Sequence, residues 1–140
     1  MKLIKFTVPG EPVGKGRPRV TMRGTYTPEK TARYENLVSL EYQSQCGRFQ
    51  FPDDAMLDMR IIAYCGIPKS ASKKRKILMR SGAIRPTKKP DADNILKLVA
   101  DSLNCVAYRD DSQIVDCQIR KFYADEARME IMIKQILTPD

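Results

Sequence analysis

Four separated segments of the chain have the residue pattern of β-strands, and this feature most limits the folds that the chain can adopt. Strict alternation of apolar and polar residues puts every second side chain on one buried face of an extended strand. Residues 2–8 and 129–136 alternate in this way, and residues 56–65 and 114–123 are also predicted as strands. Strands spread along the chain with other elements between them indicate a mixed α and β architecture.

The first predicted helix follows a long segment rich in glycine and proline. Residues 9–27 predict a long loop or a hairpin, because Gly and Pro favour turns. Thr27 is the expected N-cap and Pro28 the first helical residue. The helix is predicted to run to about residue 46 and to end at Gly47.

Two further helices are predicted between the second and third strands. A basic helix covers residues 73–80, with Ser70 or Ser72 as its cap, and another helix runs from about residue 93 to residue 104. The prediction is therefore an α+β fold in one small domain, residues 1–140. It contains a mixed or antiparallel sheet of about four strands and about three helices. The apolar fraction of 42% suffices for one core.

Charge is divided unevenly along the chain. Residues 1–90 carry 19 Lys and Arg against 7 Asp and Glu, whereas residues 91–140 carry 6 against 10. A basic surface attracts polyanions, and a group of acids suits chemistry that needs carboxylates. Charge alone leaves open both nucleic-acid binding and an ordinary solvated basic surface.

The sequence contains no histidine, and its cysteines lack metal-site spacing. The lack of histidine excludes Ser-His-Asp and Cys-His catalysis and a histidine general base. The four cysteines are predicted to be reduced, mostly buried thiols of a cytoplasmic protein. Neither a membrane span nor a secretory signal is expected from the apolar runs. The cysteines are Cys46, Cys65, Cys105 and Cys117.

Two pairs of acids in the second half are the candidate chemical groups. Asp91 and Asp93 stand where a loop enters the third predicted helix, and Asp110 and Asp111 precede a strand. Asp93 can instead be the helix N-cap, and the second pair can be only a turn. If the acids converge, they repel one another unless a cation lies between them. Hard oxygen ligands favour Mg²⁺, with Mn²⁺ as a substitute.

The third predicted helix carries one narrow polar stripe. Lys97 lies one turn after Asp93, so its ammonium can lie over the first acid pair. A lysine in this place can stabilise charge near a phosphate. The polar positions, spaced 3, 4 and 3, are Asn94, Lys97, Asp101 and Asn104.

These motifs resemble the RusA family of Holliday junction resolvases. The resemblance lies in Asp-x-Asp-Asn-x-x-Lys at residues 91–97 and in Asp-Asp-x-Gln-Ile-x-Asp at residues 110–116. Residues 8–19 also look like the N-terminal segment of phage and Gram-positive members. The resemblance implies an Mg²⁺-dependent homodimeric endonuclease. Such an enzyme cuts four-way DNA junctions by paired symmetric nicks in recombination and repair.

By position, the resemblance also implies roles for individual residues. The family's three essential aspartates, which would hold the metal, match Asp91, Asp93 and Asp111, and its essential lysine matches Lys97. Three neighbouring polar residues can support them: Asp110, Asn94 and Asp116. For Asn94 a helix cap is the alternative, and for Asp116 a pairing with Arg120.

DNA contacts are expected from the basic first half. Tyr26 and Tyr108 can stack on unpaired bases, although partly buried tyrosines at the edge of the core are the alternative. The expected phosphate contacts are Lys15, Arg17, Arg19, Lys73, Lys74, Arg75, Lys76, Arg85, Lys88 and Lys89.

Three other functions remain open at this point. The same site can serve a less selective nuclease of flaps or other branched DNA. A non-catalytic DNA-binding protein would use the acids only as helix caps. An RNA-binding module is disfavoured because no aromatic-rich strand of the RNA-recognition type is found.

Overall fold

A four-stranded sheet and three helices form an α+β domain, as predicted. The computed structural model describes residues 2–26 and 28–139, so the predicted cap Thr27 lies outside the described residues. A separate two-stranded hairpin occupies part of the glycine-rich segment. In chain order the elements are β1 (Leu3–Pro9), β2 (Arg19–Thr21), β3 (Gly24–Tyr26), α1 (Glu29–Cys46), β4 (Met56–Gly66), α2 (Lys73–Arg80), α3 (Ala92–Ser102), β5 (Ile114–Ala124) and β6 (Arg128–Ile136).

The main sheet is mixed, with strand order β1-β6-β4-β5. Strand β6 pairs antiparallel with both β1 and β4. Strands β4 and β5 are parallel. A parallel pair needs a long crossover, and α2 and α3 provide it between β4 and β5. The crossover therefore brings the start of β5 back beside α3, where the two acid motifs lie.

One face of the sheet is buried against α1 and α3. In β4, Leu57, Met59 and Ile61 are fully buried, whereas Arg60 between them is exposed. The period of two thus assigns one face of the strand to the core. The helices contribute Tyr34, Val38 and Tyr42 from α1 and Ile95, Leu98 and Val99 from α3. Because α3 is held by its apolar face, its polar stripe is directed away from the core.

The glycine-rich segment passes close to the starts of α1 and α3. The backbone N–H of Gly16 donates to Thr31 Oγ1 at 3.0 Å. At Gly14 an added Cβ would lie 3.0 Å from Asn94 Cβ and 3.1 Å from Pro90 Cβ. A side chain there would force its neighbours to move by a few tenths of an ångström, so the segment lies close against α3.

The predicted end of α1 and the predicted cap of α2 are found, but the start of α1 differs: the helix begins at Glu29, so Pro28 is its N-cap and not its first helical residue. Helix α1 ends at its C-cap Gly47, whose positive φ of 71° is one that glycine adopts readily. The Ser72 side chain accepts a hydrogen bond from Arg75 N, which makes it the cap of α2. Helix α3, however, begins at Ala92, so Asp91 and not Asp93 holds the N-cap position. It also ends at Ser102, two residues before the predicted end.

The cysteines are all free, but the prediction that they are mostly buried is wrong. Cys65 is buried and Cys46 half-buried, whereas Cys105 and Cys117 are exposed. Cys117 lies on β5, which is an edge strand and therefore lacks a neighbour on one side. None of the helices in the described part of the chain is long and apolar enough to cross a membrane.

Candidate active site

The first acid pair lies exposed at the start of α3. Asp91 is the N-cap residue by position, but its side chain accepts no capping hydrogen bond. Its backbone carbonyl accepts from Ile95 N at 3.0 Å. Asp93 lies in the first turn of the helix, so the prediction that it caps the helix is wrong. A helix N-terminus favours nearby negative charge, which suits both carboxylates.

The second acid pair divides into two different roles. Asp110 caps a single 3-10 turn at residues 111–113: its carboxylate accepts from Ser112 N at 3.0 Å. These hydrogen bonds lower the pKa of Asp110 below its ordinary value. Gln113 completes the cap, because its Oε1 accepts from Asp110 N at 3.2 Å. The turn alternative thus describes Asp110, and it leaves the carboxylate of Asp111 without a capping role.

Asp111 is half-buried and meets a carboxylate of α3. Its carboxylate lies beside that of Asp101. Burial is the largest cause that raises the pKa of Asp111, followed by the negative charges of Asp101 and Asp110. Two carboxylates in such contact need a shared proton or a cation to relieve their repulsion.

A lysine from the glycine-rich segment lies beside this carboxylate pair. Lys15 Nζ is 3.5 Å from Asp101 Oδ2 and 2.9 Å from Glu35 Oε1 of α1. The three side chains are only partly exposed, with values between 19% and 28%. Burial lowers the pKa of Lys15, but the hydrogen bond and the charge of Glu35, with those of Asp101, outweigh it, so the net shift is upward. Lys15, predicted to contact DNA, is thus engaged by two carboxylates.

The structure does not bring Asp91, Asp93 and Asp111 into one group. Across residues 2–26 and 28–139, no three acidic, histidine or cysteine side chains are grouped closely enough to hold a metal ion. Asp111 instead contacts Asp101, which is more than two helical turns beyond the first acid pair. A metal ion shared by the three predicted ligands therefore stays a prediction. Carboxylate oxygens are the donors that a hard cation prefers, so the residue types fit Mg²⁺, whereas their grouping in the described residues does not.

Sequence reasoning identified Asp101 only as a member of the polar stripe and missed Glu35. The stripe spacing was a usable signal for Asp101, since it put that residue on the same helix face as Lys97. For Lys15 and Glu35 no local pattern existed, because their partners are distant in the chain.

Part of the basic surface is held by specific contacts along β5. Arg85 Nε donates to the Lys121 carbonyl at 2.8 Å, and its guanidinium lies 4.1 Å from the Phe122 ring centroid. Lys121 Nζ in turn donates to the Lys88 carbonyl at 2.6 Å. These contacts fix the loop before α3 and leave the Lys88 side chain exposed beside the first acid pair.

The other predicted DNA contacts have mixed positions. Lys76 is half-buried, so it is less accessible than its neighbours in α2. The Arg19 side chain lies outside the described residues. The DNA-binding role of all these residues stays a prediction. The exposed members are Arg17, Lys73, Lys74, Arg75 and Lys89.

Three of the minor sequence-based interpretations are wrong, and a fourth concerns a side chain outside the described residues. Tyr108 is fully buried and its hydroxyl donates to the Ala100 carbonyl at 2.7 Å, so it cannot stack on bases. Asn94 lies inside α3 and does not cap it. Asp116 is exposed on β5 and opposite Asp58, and no ion pair joins it to Arg120 in the described chain. The Tyr26 side chain is outside the described residues.

The raised pKa of Asp111 predicts a stability change of defined sign. Above its folded pKa, ionised Asp111 costs folding free energy; below the ordinary value of 3.8 it is protonated in both states and the cost disappears. Asp111→Asn is therefore expected to raise the Tm near pH 7, and the gain should vanish below about pH 4. Thermal unfolding with EDTA present measures this. A lower Tm of Asp111→Asn than of wild type near pH 7 would contradict the repulsion between Asp111 and its neighbouring carboxylates.

Comparison with known proteins identifies the family of the chain. The family model described as Endodeoxyribonuclease RusA matches residues 9–134, which is nearly the whole chain. The chain therefore belongs to the RusA endodeoxyribonuclease family. Uncharacterized protein YqaN of Bacillus subtilis (strain 168) is 40% identical to it over 142 residues, covering 97% of this chain and 99% of that protein.

Proposed function

We propose that this protein is a divalent-metal-dependent endonuclease that resolves four-way DNA junctions by paired symmetric nicks. The family match over residues 9–134 carries the proposal. Within that range lie the two acid motifs and a surface rich in lysine and arginine. An endonuclease needs both parts, because phosphates must be held while one phosphodiester is hydrolysed.

The acids are assigned to a cation and the lysine to the phosphate. Asp91, Asp93 and Asp111 would hold Mg²⁺, or Mn²⁺ as its substitute. Such an ion, when bound, activates water and stabilises charge at phosphorus. Lys97 lies exposed on α3 one turn after Asp93, so its ammonium can neutralise the scissile phosphate. Asp110 supports this site indirectly, because it fixes the turn that presents Asp111.

DNA binding is assigned to basic residues around the first acid pair. Lys88 and Lys89 are exposed immediately before Asp91, and Arg85 is anchored on Phe122. An arginine held in place loses less side-chain entropy when it meets a phosphate than a mobile one does. These residues therefore favour binding of DNA next to the candidate site.

A homodimer and a cytoplasmic location are parts of the same proposal. A four-way junction has two-fold symmetry, and two active sites on one two-fold axis can nick opposing strands. Four free thiols are the state expected in a reducing compartment.

The selectivity of cleavage tests the proposal against its nearest competitor. With Mg²⁺ and about 150 mM salt, a four-way junction should be cut at least about tenfold faster than a flap or plain duplex. A tenfold difference in rate corresponds to RT ln 10 of stronger binding to the transition state on the junction. The products should be two symmetric nicks that ligase seals. Equal rates on all three substrates would favour a less selective branched-DNA nuclease. Binding to the junction with no cleavage would favour a non-catalytic protein.

A further inference from the structure

A chain of alternating charges links three separate parts of the fold at Asp111. Glu35 of α1 contacts Lys15 at 2.9 Å, and Lys15 contacts Asp101 of α3 at 3.5 Å. The Asp101 carboxylate in turn lies beside Asp111, in the turn that precedes β5. Glu35 and Asp101 each approach the same ammonium, which therefore bridges α1 and α3.

The backbone around Lys15 is fixed independently of this ion pair. Lys15 N donates to the Asn94 carbonyl at 2.8 Å. On one side Gly14 packs so closely on Asn94 and Pro90 that an added Cβ would be only about 3 Å away, at 3.0 and 3.1 Å. On the other side, Gly16 hydrogen-bonds Thr31 of α1, a buried residue one turn before Glu35. Lys15 is thus positioned by its backbone to reach between the two helices.

We propose that Lys15 is a positioning residue of the candidate active site: its ammonium, anchored by Glu35, holds the Asp101 carboxylate in place beside Asp111. This inference rests on the proposed nuclease function, because it assigns Asp111 to the site. Lys15 acts through Asp101 and does not itself touch the substrate.

The charge balance gives the proposal a specific consequence for cations. Lys15 competes with any cation for Asp101, because both are attracted to the same carboxylate. Removal of the ammonium should therefore strengthen cation binding while it releases Asp101 from its position. Removal of the Glu35 charge should weaken cation binding, because one negative charge is lost and the Lys15 ammonium then interacts with Asp101 alone. A lysine that only stabilises the fold would produce neither shift.

The experiment measures Mn²⁺ binding without DNA by calorimetry, and separately kcat and KM on a four-way junction. For Lys15→Met we expect Mn²⁺ to bind about 3–10-fold more tightly. We expect kcat to fall about 30-fold, with KM changed less than about threefold, because a displaced carboxylate affects the reaction more than DNA binding. For Glu35→Gln we expect weaker Mn²⁺ binding and a smaller fall in kcat, about threefold to tenfold.

Two control variants complete the test. Lys15→Arg keeps the charge and should retain wild-type Mn²⁺ affinity within about twofold. Lys30→Met removes an exposed lysine of α1 and should change neither Mn²⁺ affinity nor kcat. If Lys15→Met does not fold, Glu35→Gln alone tests the inference. Weaker Mn²⁺ binding than in wild type would support the role of Lys15, and equal or tighter binding would overturn it.

The outcomes separate this inference from the proposed function. Wild-type Mn²⁺ affinity and kcat in both Lys15→Met and Glu35→Gln would overturn the role of Lys15 even if the wild type cuts junctions. Conversely, Mn²⁺ affinity could shift in opposite directions in Lys15→Met and Glu35→Gln while the wild type cuts no DNA. That result would support the role of Lys15 and contradict the nuclease proposal. Shifts of the same sign in both variants would also overturn the inference.

Discussion

Asp111→Asn is expected to reduce cleavage of a four-way junction by about 100-fold or more while junction binding is retained. The substitution removes a negative oxygen that a divalent cation would use, and it leaves the size of the side chain almost unchanged. Binding should be equal or tighter, since one carboxylate that repels phosphate is gone. Single-turnover cleavage and a gel-shift assay without metal measure the two effects separately.

Asp54→Asn is the matched control for this prediction. Asp54 is an exposed aspartate in the turn before β4 and belongs to neither acid motif. Its cleavage rate should stay within about twofold of wild type, as surface substitutions of this kind have small effects. Cleavage by Asp111→Asn at the wild-type rate would remove Asp111 from the site. Equal losses in both variants would indicate a general charge effect.

Leu98→Ala is expected to cause a large loss of stability. Leu98 is fully buried, and it belongs to the apolar face that holds the helix on the sheet. Truncation of a buried leucine costs about 2–5 kcal/mol, because burial is lost and a cavity remains. For a domain of this size the Tm should fall by roughly 10 °C.

Leu40→Ala provides the same chemical change at the surface. Leu40 of α1 is 62% exposed, so its truncation should change the free energy of unfolding by less than about 0.5 kcal/mol. Calorimetry or urea unfolding compares the two variants directly. Similar losses in both would mean that α3 does not depend on its apolar face for its position.

The elements of the fold were predictable from the sequence because their signals are local. Alternating residues in β6 and glycine after α1 act within one element, and each appeared where the pattern predicted it. The start of α3 was missed by one residue, since both Asp91 and Asp93 can occupy an N-cap. Strand order was not predictable, because the pairing of β4 with both β5 and β6 depends on contacts between distant residues.

The candidate site was predictable only in part, for a similar reason. The sequence pattern indicated the two acid pairs, and the family resemblance implied Asp91, Asp93 and Asp111 as ligands, but neither showed which acids meet in space. The contact of Asp111 with Asp101 and the insertion of Lys15 between α1 and α3 are long-range features of the folded chain. For Tyr108 the sequence left open whether it stacks on bases or lies at the edge of the core, and the structure buries it fully.

The central claim is that the chain is a divalent-metal-dependent junction endonuclease, and one assay tests it most directly. Wild type and Asp93→Asn are incubated with a four-way junction, each with Mg²⁺ and with EDTA. We expect paired symmetric nicks only from wild type with Mg²⁺, and a rate for Asp93→Asn that is lower by about 100-fold or more. Nicking by wild type in EDTA, or by Asp93→Asn at the wild-type rate, would contradict the claim.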